Sequence, residues 1–375
     1  MQRPRWLAQG IRSHFRDDVD AMTQIQTNTV AGPPRPAVTS IAPRAEWQAI
    51  VARYEQANTF RAIAQVVTTI GPLCLAFYLM YRSLALPYWV TLLLAVPTAG
   101  FLVRTFIIMH DCAHRSFLKW PRVNDAVGLV TGVITMTPFS RWRRDHAKHH
   151  ASSGDLDRRG HGDIPTLTVR EYLARTPWGQ FRYRLYRHPA VLIGLGPLHM
   201  IVLQRFPGTE NGVRDRTTSN VWVTNAAIAA GFVGFAMWLG VSAVLLVYLP
   251  AMYLAAVAGV WLFYVQHQFE DAYWKDHEDW DYATAAIRGS SYFKLPAVLR
   301  WMTGSIGLHH VHHLGPRVPN YRLKRCHDEN ALFHDVTVLT IAESARTLRL
   351  SLWDEDKERL IGFSDLARKT AAATN

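Results

Sequence analysis

The stretch Gly307-Leu308-His309-His310-Val311-His312-His313-Leu314 places four histidines within five residues. Neutral imidazole is the commonest protein ligand for transition metals. On a helix, His309, His312 and His313 stand at i, i+3 and i+4 and share one face. Two other clusters have related spacing. His110-Asp111-Cys112-Ala113-His114 gives i, i+4, and His146-Ala147-Lys148-His149-His150 gives i, i+3, i+4. Gln266-His267-Gln268 closes a long apolar run. A lone HxxxH is a weak pattern, more often surface or packing than ligation. Two HxxHH patterns together with an HxxxH are specific. They point to one metal centre built from segments far apart in sequence.

The frame that must bring those segments together is apolar. Of 375 residues, 49% are apolar and 19% charged, and 41 basic residues against 29 acidic ones leave a charge of +12. The basic residues flank apolar runs, which suits the anionic inner face of a membrane; no nucleic-acid partner is expected. Cys74, Cys112 and Cys326 are widely spaced, so neither a disulfide framework nor an iron–sulfur site is indicated. About 20 helical residues cross the hydrocarbon layer. Four runs qualify, at 62–81, 88–109, 221–239 and 241–265, pairing as two hairpins with a turn near Gly240. His110 follows the second run and His267 the fourth. Arg104, near the end of the second run, is expected to snorkel to the surface or to pair beside the metal site.

Ala126–Phe139 and Pro189–Leu203 are apolar but too short to span, so both read as interfacial or re-entrant. Residues 1–45, with Pro33-Pro34, Pro36 and Pro43, read as a disordered tail. No apolar core follows its first basic residues, so no secretory signal is expected, and Met22 offers an alternative start. Residues 46–340 form the membrane domain, and 341–375 read as a cytoplasmic tail that frays from Leu366. With the N-terminus inside, two hairpins return the chain to the inside at His110 and at His267. The short outer loops carry only Arg82 and no lysine, the positive-inside pattern. The fold class is therefore an all-α integral membrane protein, with short interfacial helices and a cytoplasmic helical cap carrying the histidines. A bacterial inner membrane is the expected location.

At residues 55–340 the sequence resembles the membrane fatty acid desaturase family, marked by three histidine boxes on the cytoplasmic side of a four-helix frame. The resemblance is carried by His-Asp-Cys-Ala-His-Arg-Ser-Phe at 110–117 and His-Ala-Lys-His-His-Ala-Ser-Ser-Gly-Asp-Leu-Asp-Arg-Arg-Gly at 146–160. Gln-His-Gln-Phe-Glu-Asp at 266–271, His-His-Val-His-His-Leu at 309–314 and Pro-Asn-Tyr-Arg-Leu at 319–323 add to it. The HxxxH first box is nearer to acyl-lipid Δ12 and ω-3 desaturases than to the Δ9 acyl-CoA sort. The resemblance implies two iron ions, cycling between Fe2+ and Fe3+. Their ligands would be His110, His114, His146, His149, His150, His267, His309, His312 and His313, with His310 left over. It implies O2 as co-substrate, a fatty acyl lipid or acyl thioester as substrate, and electrons from a ferredoxin or cytochrome b5 type donor. His188-Pro189 lacks the glycines of a fused cytochrome b5 module.

The chemistry supports iron. Structural zinc closes at four ligands, so one zinc cannot use nine histidines. An unactivated C–H bond in the middle of an acyl tail needs a metal–oxygen species rather than a side-chain base. A membrane hydroxylase or alkane monooxygenase would use similar boxes. A metal transporter would place its ligands within the spans. Asp111, Asp145, Asp155, Glu270 and Asp271 are candidates to hold ligand histidines from behind. Arg141, Arg143, Arg144, Arg158 and Arg159 could dock an acidic donor or a lipid headgroup, or merely hold topology. His161 and His277 read as surface residues, and His14, His188, His199, His327 and His334 carry no motif.

Overall fold

The computed structural model describes residues 41–160, 164–207 and 216–374. His14 and His161 lie outside them. A short helix α1 (Arg44–Ala52) precedes α2 (Thr59–Ser83), whose start is capped by the Asn58 side chain accepting from the Arg61 amide at 2.9 Å. Next come α3 (Trp89–Ala113), α4 (Pro121–Ile134), α5 (Phe139–Ser152), the two-residue strand β1 (Leu167–Thr168), α6 (Val169–Leu173) and α7 (Pro177–Arg187). A π-helical segment, Ala190–Leu195, runs into α8 (Gly196–Leu203). Then α9 (Arg216–Leu239) and α10 (Val241–His267) form the second long hairpin, turned at Gly240 with φ +89°, a left-handed conformation that suits glycine.

The remaining cap contains α11 (Tyr282–Arg288), β2 (Tyr292–Phe293), α12 (Ala297–Met302), α13 (His309–Leu314) and α14 (Asn320–Glu329). It ends with β3 (Val338–Leu339), α15 (Ile341–Thr347), β4 (Leu350–Asp354), β5 (Arg359–Gly362) and α16 (Phe363–Thr374). The strands β1-β4-β5 make one small sheet, β1 and β4 parallel and β4 and β5 antiparallel; β2 and β3 pair in parallel. These short strands do not change the mainly helical class.

Among the described residues, four helices are long and apolar enough to cross a membrane: Thr59–Ser83, Trp89–Ala113, Thr217–Leu239 and Val241–His267. They extend past the apolar runs read from sequence because backbone hydrogen bonding continues where hydropathy ends. The consequence is functional: α3 carries His110 and α10 carries His267 on the same rigid rods that anchor them. The helix α3 is central, packed against α2, α4 and α10, with 56% of its apolar window buried against 11% for α9. Arg104 on α3 neither snorkels nor reaches the histidines. It is buried, donates to Thr69 Oγ1 (3.1 Å) and the Trp301 carbonyl, and lies 4.0 Å over the Trp301 ring.

The second short apolar stretch packs along α10, whereas α4, in the first, packs on α3 and α9 and reaches α10 at Tyr248. Tyr248 Oη donates to Ile134 O at the end of α4 (2.9 Å), and Tyr253 Oη donates to Gly194 O (3.0 Å). The first stretch is split by the turn at 135–138: α4 runs one way, and α5 returns carrying the second histidine box.

The segment after residue 340, read from sequence as a tail, is structured. The strand β4 pairs with both β1 and β5, and Leu352, Leu360 and Ile361 are buried. Leu366, where fraying was expected, is buried within α16. Single-strand alternation is too short here to announce a sheet whose partner lies at residue 167.

The third box is held by close backbone approach. Phe293 donates its amide to Gly307 O (2.8 Å), and a Cβ on Gly307 would sit 2.4 Å from Phe293 O. Backbone cannot give way as a flexible side chain can. Gly307→Ala should therefore cost about 1–3 kcal/mol, read as a lowered melting temperature of the solubilised protein. An unchanged melting temperature would show that β2 yields freely.

Candidate metal centre

Three helices and two helix ends bring the sequence-predicted histidines together. The helix α3 supplies His110, with His114 at its C-cap; α5 supplies His146, His149 and His150; α10 ends on His267; α13 supplies His309, His312 and His313. They fall into two groups. His110, His114, His146, His150 and His312 form a set of five, and His149, His267, His309 and His313 a set of four. Within each set one donor atom per residue lies within 4.8 Å of all the others. Adjacent residues separate between the sets: His149 from His150, and His312 from His313. The i, i+4 partners His146 and His150 stay together, as do His309 and His313.

The donor atoms face one another by their Nε2 edges. His146 Nε2 lies 3.1 Å from both His110 Nε2 and His150 Nε2. In the other set His267 Nε2 lies 3.1 Å from His149 Nε2 and 2.9 Å from His309 Nε2, which lies 3.1 Å from His313 Nε2. A neutral imidazole nitrogen either donates one proton or offers one lone pair. Closed sets of such nitrogens therefore cannot all be satisfied by one another. Buried His114 Nε2 and His312 Nε2 have no hydrogen-bond partner at all among the described residues. Two nitrogens bound at right angles about 2.1 Å from one ion would stand about 3.0 Å apart. The donor set fits a cation in each group.

Electrostatics agree. Burial, reinforced by the neighbouring imidazoles, holds His114, His146, His150, His309, His312 and His313 well below the usual imidazole range. They are neutral at pH 7, with lone pairs available for a metal.

Of the five acidic candidates, Asp111 alone makes a described bond to one of the nine histidines. Its Oδ1 lies 3.1 Å from His110 Nδ1, and because a carboxylate only accepts, that nitrogen carries the proton and Nε2 keeps its lone pair. Asp111 Oδ2 in turn accepts from the Asn320 amide (2.7 Å) and Asn320 Nδ2 (2.8 Å) at the start of α14. Asp145 pairs with Arg141 and Arg144, Asp155 with His277, and Glu270 with Arg359; Asp271 is exposed. His267 is oriented instead by a carbonyl, Gly289 O, 3.2 Å from Nδ1. The flanking glutamines tie down the same helix end: Gln266 Nε2 donates to Ile306 O (2.9 Å), and Gln268 Oε1 accepts from Arg187 (2.9 Å).

His310 stands on the other face of α13, outside both groups, its Nε2 3.1 Å from His327 Nδ1. Burial beside His327 pushes it down to about 3. His277, read as a surface residue, is about half exposed and bridges Asp155 and Arg158. The five arginines offered for docking are engaged within the protein. Arg141 donates to the Leu203 and Phe206 carbonyls, and Arg143 pairs with Asp125. Arg144 bonds Asp145 and Thr217, Arg158 reaches His277, and Arg159 grips Glu171 with two nitrogens at 2.9 and 2.5 Å.

Two wall residues escaped the sequence reading. Trp142 stacks on His146 at 4.3 Å, and Phe263 lies 5.1 Å from His149 and 5.2 Å from His267. Each stands four positions before a histidine of the centre, so helical spacing was the available signal.

Comparison with known proteins agrees with this geometry. Residues 39–339 match the fatty acid desaturase family. A fatty acid desaturase of Bacillus subtilis (strain 168) is 43% identical over 314 residues, covering 84% of this chain and 89% of that protein. An sn-1 oleoyl-lipid 12-desaturase of Synechocystis is 26% identical over 273 residues, 71% of this chain and 75% of its own. An sn-1 acyl-lipid omega-3 desaturase (ferredoxin) of the same organism is 28% identical over 230 residues, 59% and 61% respectively. A family match spanning most of the sequence, a bundle of four potential membrane spans and two buried histidine sets lead to one conclusion: this chain belongs to the fatty acid desaturases.

Proposed function

We propose that the protein introduces a double bond into a fatty acyl tail in an O2-dependent reaction, at a pair of iron ions. The observation that carries this reading is the pair of adjacent, largely buried imidazole sets. His110, His114, His146, His150 and His312 would hold one ion, and His149, His267, His309 and His313 the other. When bound, the iron pair would supply the oxidising power to remove hydrogen from an unactivated C–H bond, which no side chain possesses.

The protein's own residues do the rest. Burial keeps His114, His146, His150, His309, His312 and His313 unprotonated. Asp111 holds the proton on His110 Nδ1 and thereby aims Nε2. Trp142 and Phe263 wall the histidines with apolar rings and exclude water from them. The acyl tail reaches the centre from the membrane, because α3 and α10 run directly from their spans into the ligand sets. The positive-inside distribution supports a cytoplasmic cap in a bacterial inner membrane. A ferredoxin-type donor is supported by the name of the Synechocystis omega-3 relative.

Fatty-acid profiling of a host expressing the protein tests the reading. New double bonds should appear in air and vanish without it. A hydroxylated product with no new double bond would instead identify a hydroxylase, and metal-dependent uptake without lipid change a transporter. Purified protein should hold about two irons, and His110→Ala, His149→Ala or His313→Ala should each lose iron and all desaturation while still inserting into the membrane. Retained desaturation in two of the three variants would reject the nine-ligand assignment. Asp111→Asn should weaken metal retention about 10–100-fold in a chelator competition. Asp145→Asn, which touches only arginines among its described partners, should not; equal losses would strip Asp111 of its orienting role.

A further inference from the structure

On a helix bathed in water the exposed face is polar; α7 (Pro177–Arg187) reverses this. Its buried face carries Tyr183 and Arg187 and packs on the β1-β4-β5 sheet. Tyr183 Oη accepts from the Leu167 amide (3.0 Å) and donates to Ser351 O (2.5 Å), and Arg187 donates to Leu350 O (2.9 Å). The outward face presents Trp178, Phe181 and Leu185, which are 65%, 53% and 51% exposed. Steps of three and four residues set these side chains in one stripe. The Trp178 and Phe181 rings stack with centroids 5.3 Å apart. Arg182 lies beside the stripe and is exposed, whereas Arg184, on the other side, turns inward, donating to Tyr172 Oη (2.6 Å) and lying 4.7 Å over the Phe363 ring.

The patch continues into a descending strap. After Pro189 the backbone enters Ala190–Leu203, where Leu195, Leu198, Met200, Val202 and Leu203 are exposed. Gly194 O meets Tyr253, which lies about 21 Å along α10 from His267 at 1.5 Å per residue. The strap thus drops beside a spanning helix immediately after α7. The sheet covers one side of α7, and the apolar stripe occupies the opposite side.

We infer that α7 lies in the plane of the membrane surface, with Trp178, Phe181 and Leu185 dipped into the headgroup–acyl boundary of the bilayer. An amphipathic helix with aromatic anchors on its apolar face has the chemistry for that boundary. The occupant of the stripe is lipid because the apolar surface is continuous with the strap and a membrane span. This rests on membrane association alone and on no reading of the metal centre. It has a consequence for that centre. Arg187, on the same helix, donates to Gln268 Oε1 beside His267, so the lipid-lying helix sets the height of the histidine cluster above the bilayer.

Spin labels test this in full-length protein reconstituted into vesicles of phosphatidylethanolamine and phosphatidylglycerol. The background is Cys74→Ser, which removes the exposed cysteine; Cys112 and Cys326 are buried. Labels at Trp178→Cys, Phe181→Cys and Leu185→Cys should collide severalfold more often with dissolved oxygen than with a water-soluble nickel chelate. A label at Lys357→Cys, in the exposed β4–β5 turn, should show the reverse. Nickel-dominated collisions at the three stripe positions would place the stripe in water and overturn the inference. Low collision with both reagents would show the stripe covered by protein, such as a second copy, and overturn it equally.

Discussion

Nine imidazoles are gathered into two sets with their nitrogens close together, and the rest of the fold answers to that constraint. Histidines at 2.9–3.1 Å, nitrogen to nitrogen, cannot satisfy each other by hydrogen bonds alone. Left in water they would also protonate and repel. Burial removes the second problem by disfavouring the charged form, and a cation in each set removes the first. The site is thus one whose donor set suits a cation in each group. Its shape must be imposed by packing elsewhere, as expected where function stores strain.

The imposition comes from two directions. From below, α3 and α10 arrive as continuous helices from the membrane, so His110 and His267 inherit the rigidity of the spans. From the cap, a lattice of buried polar contacts fixes the helix ends. Asn320 holds Asp111, which holds His110; Tyr282 Oη donates to His313 O at 2.6 Å; Arg187 holds Gln268. These contacts join segments separated by as much as 209 positions. The arginines near the second box belong to the same lattice. Their partners are carbonyls, acids, the Thr217 hydroxyl and the His277 ring of the same protein, which favours the reading that they hold the topology together.

The short apolar stretches show how a frame with four candidate spans can place every box on one side. Each is pinned to α10 by a tyrosine hydroxyl donating to a backbone carbonyl. Away from water, an unsatisfied carbonyl is expensive, so such bonds set where a re-entrant segment can turn. The first fold-back also orients α5, so that His149 and His150 point into different sets.

Much of this was legible in the sequence, because the signals are local. Hydropathy over about 20 residues marks a span, and the i, i+3, i+4 spacing names the histidines that share a face. The family resemblance named the nine histidines that the fold gathers into two sets. What the sequence did not carry was the division into five and four, with His149 and His150 parted, since that depends on which way neighbouring helices approach. Nor did it reveal Asp111 as the orienting acid among five equals, the buried course of Arg104, or the sheet that β4 builds with residue 167. Spacing along the backbone fixes which side chains are neighbours on one element. Only packing between elements decides which of those neighbours meet a partner, because such contacts join residues that share no local pattern.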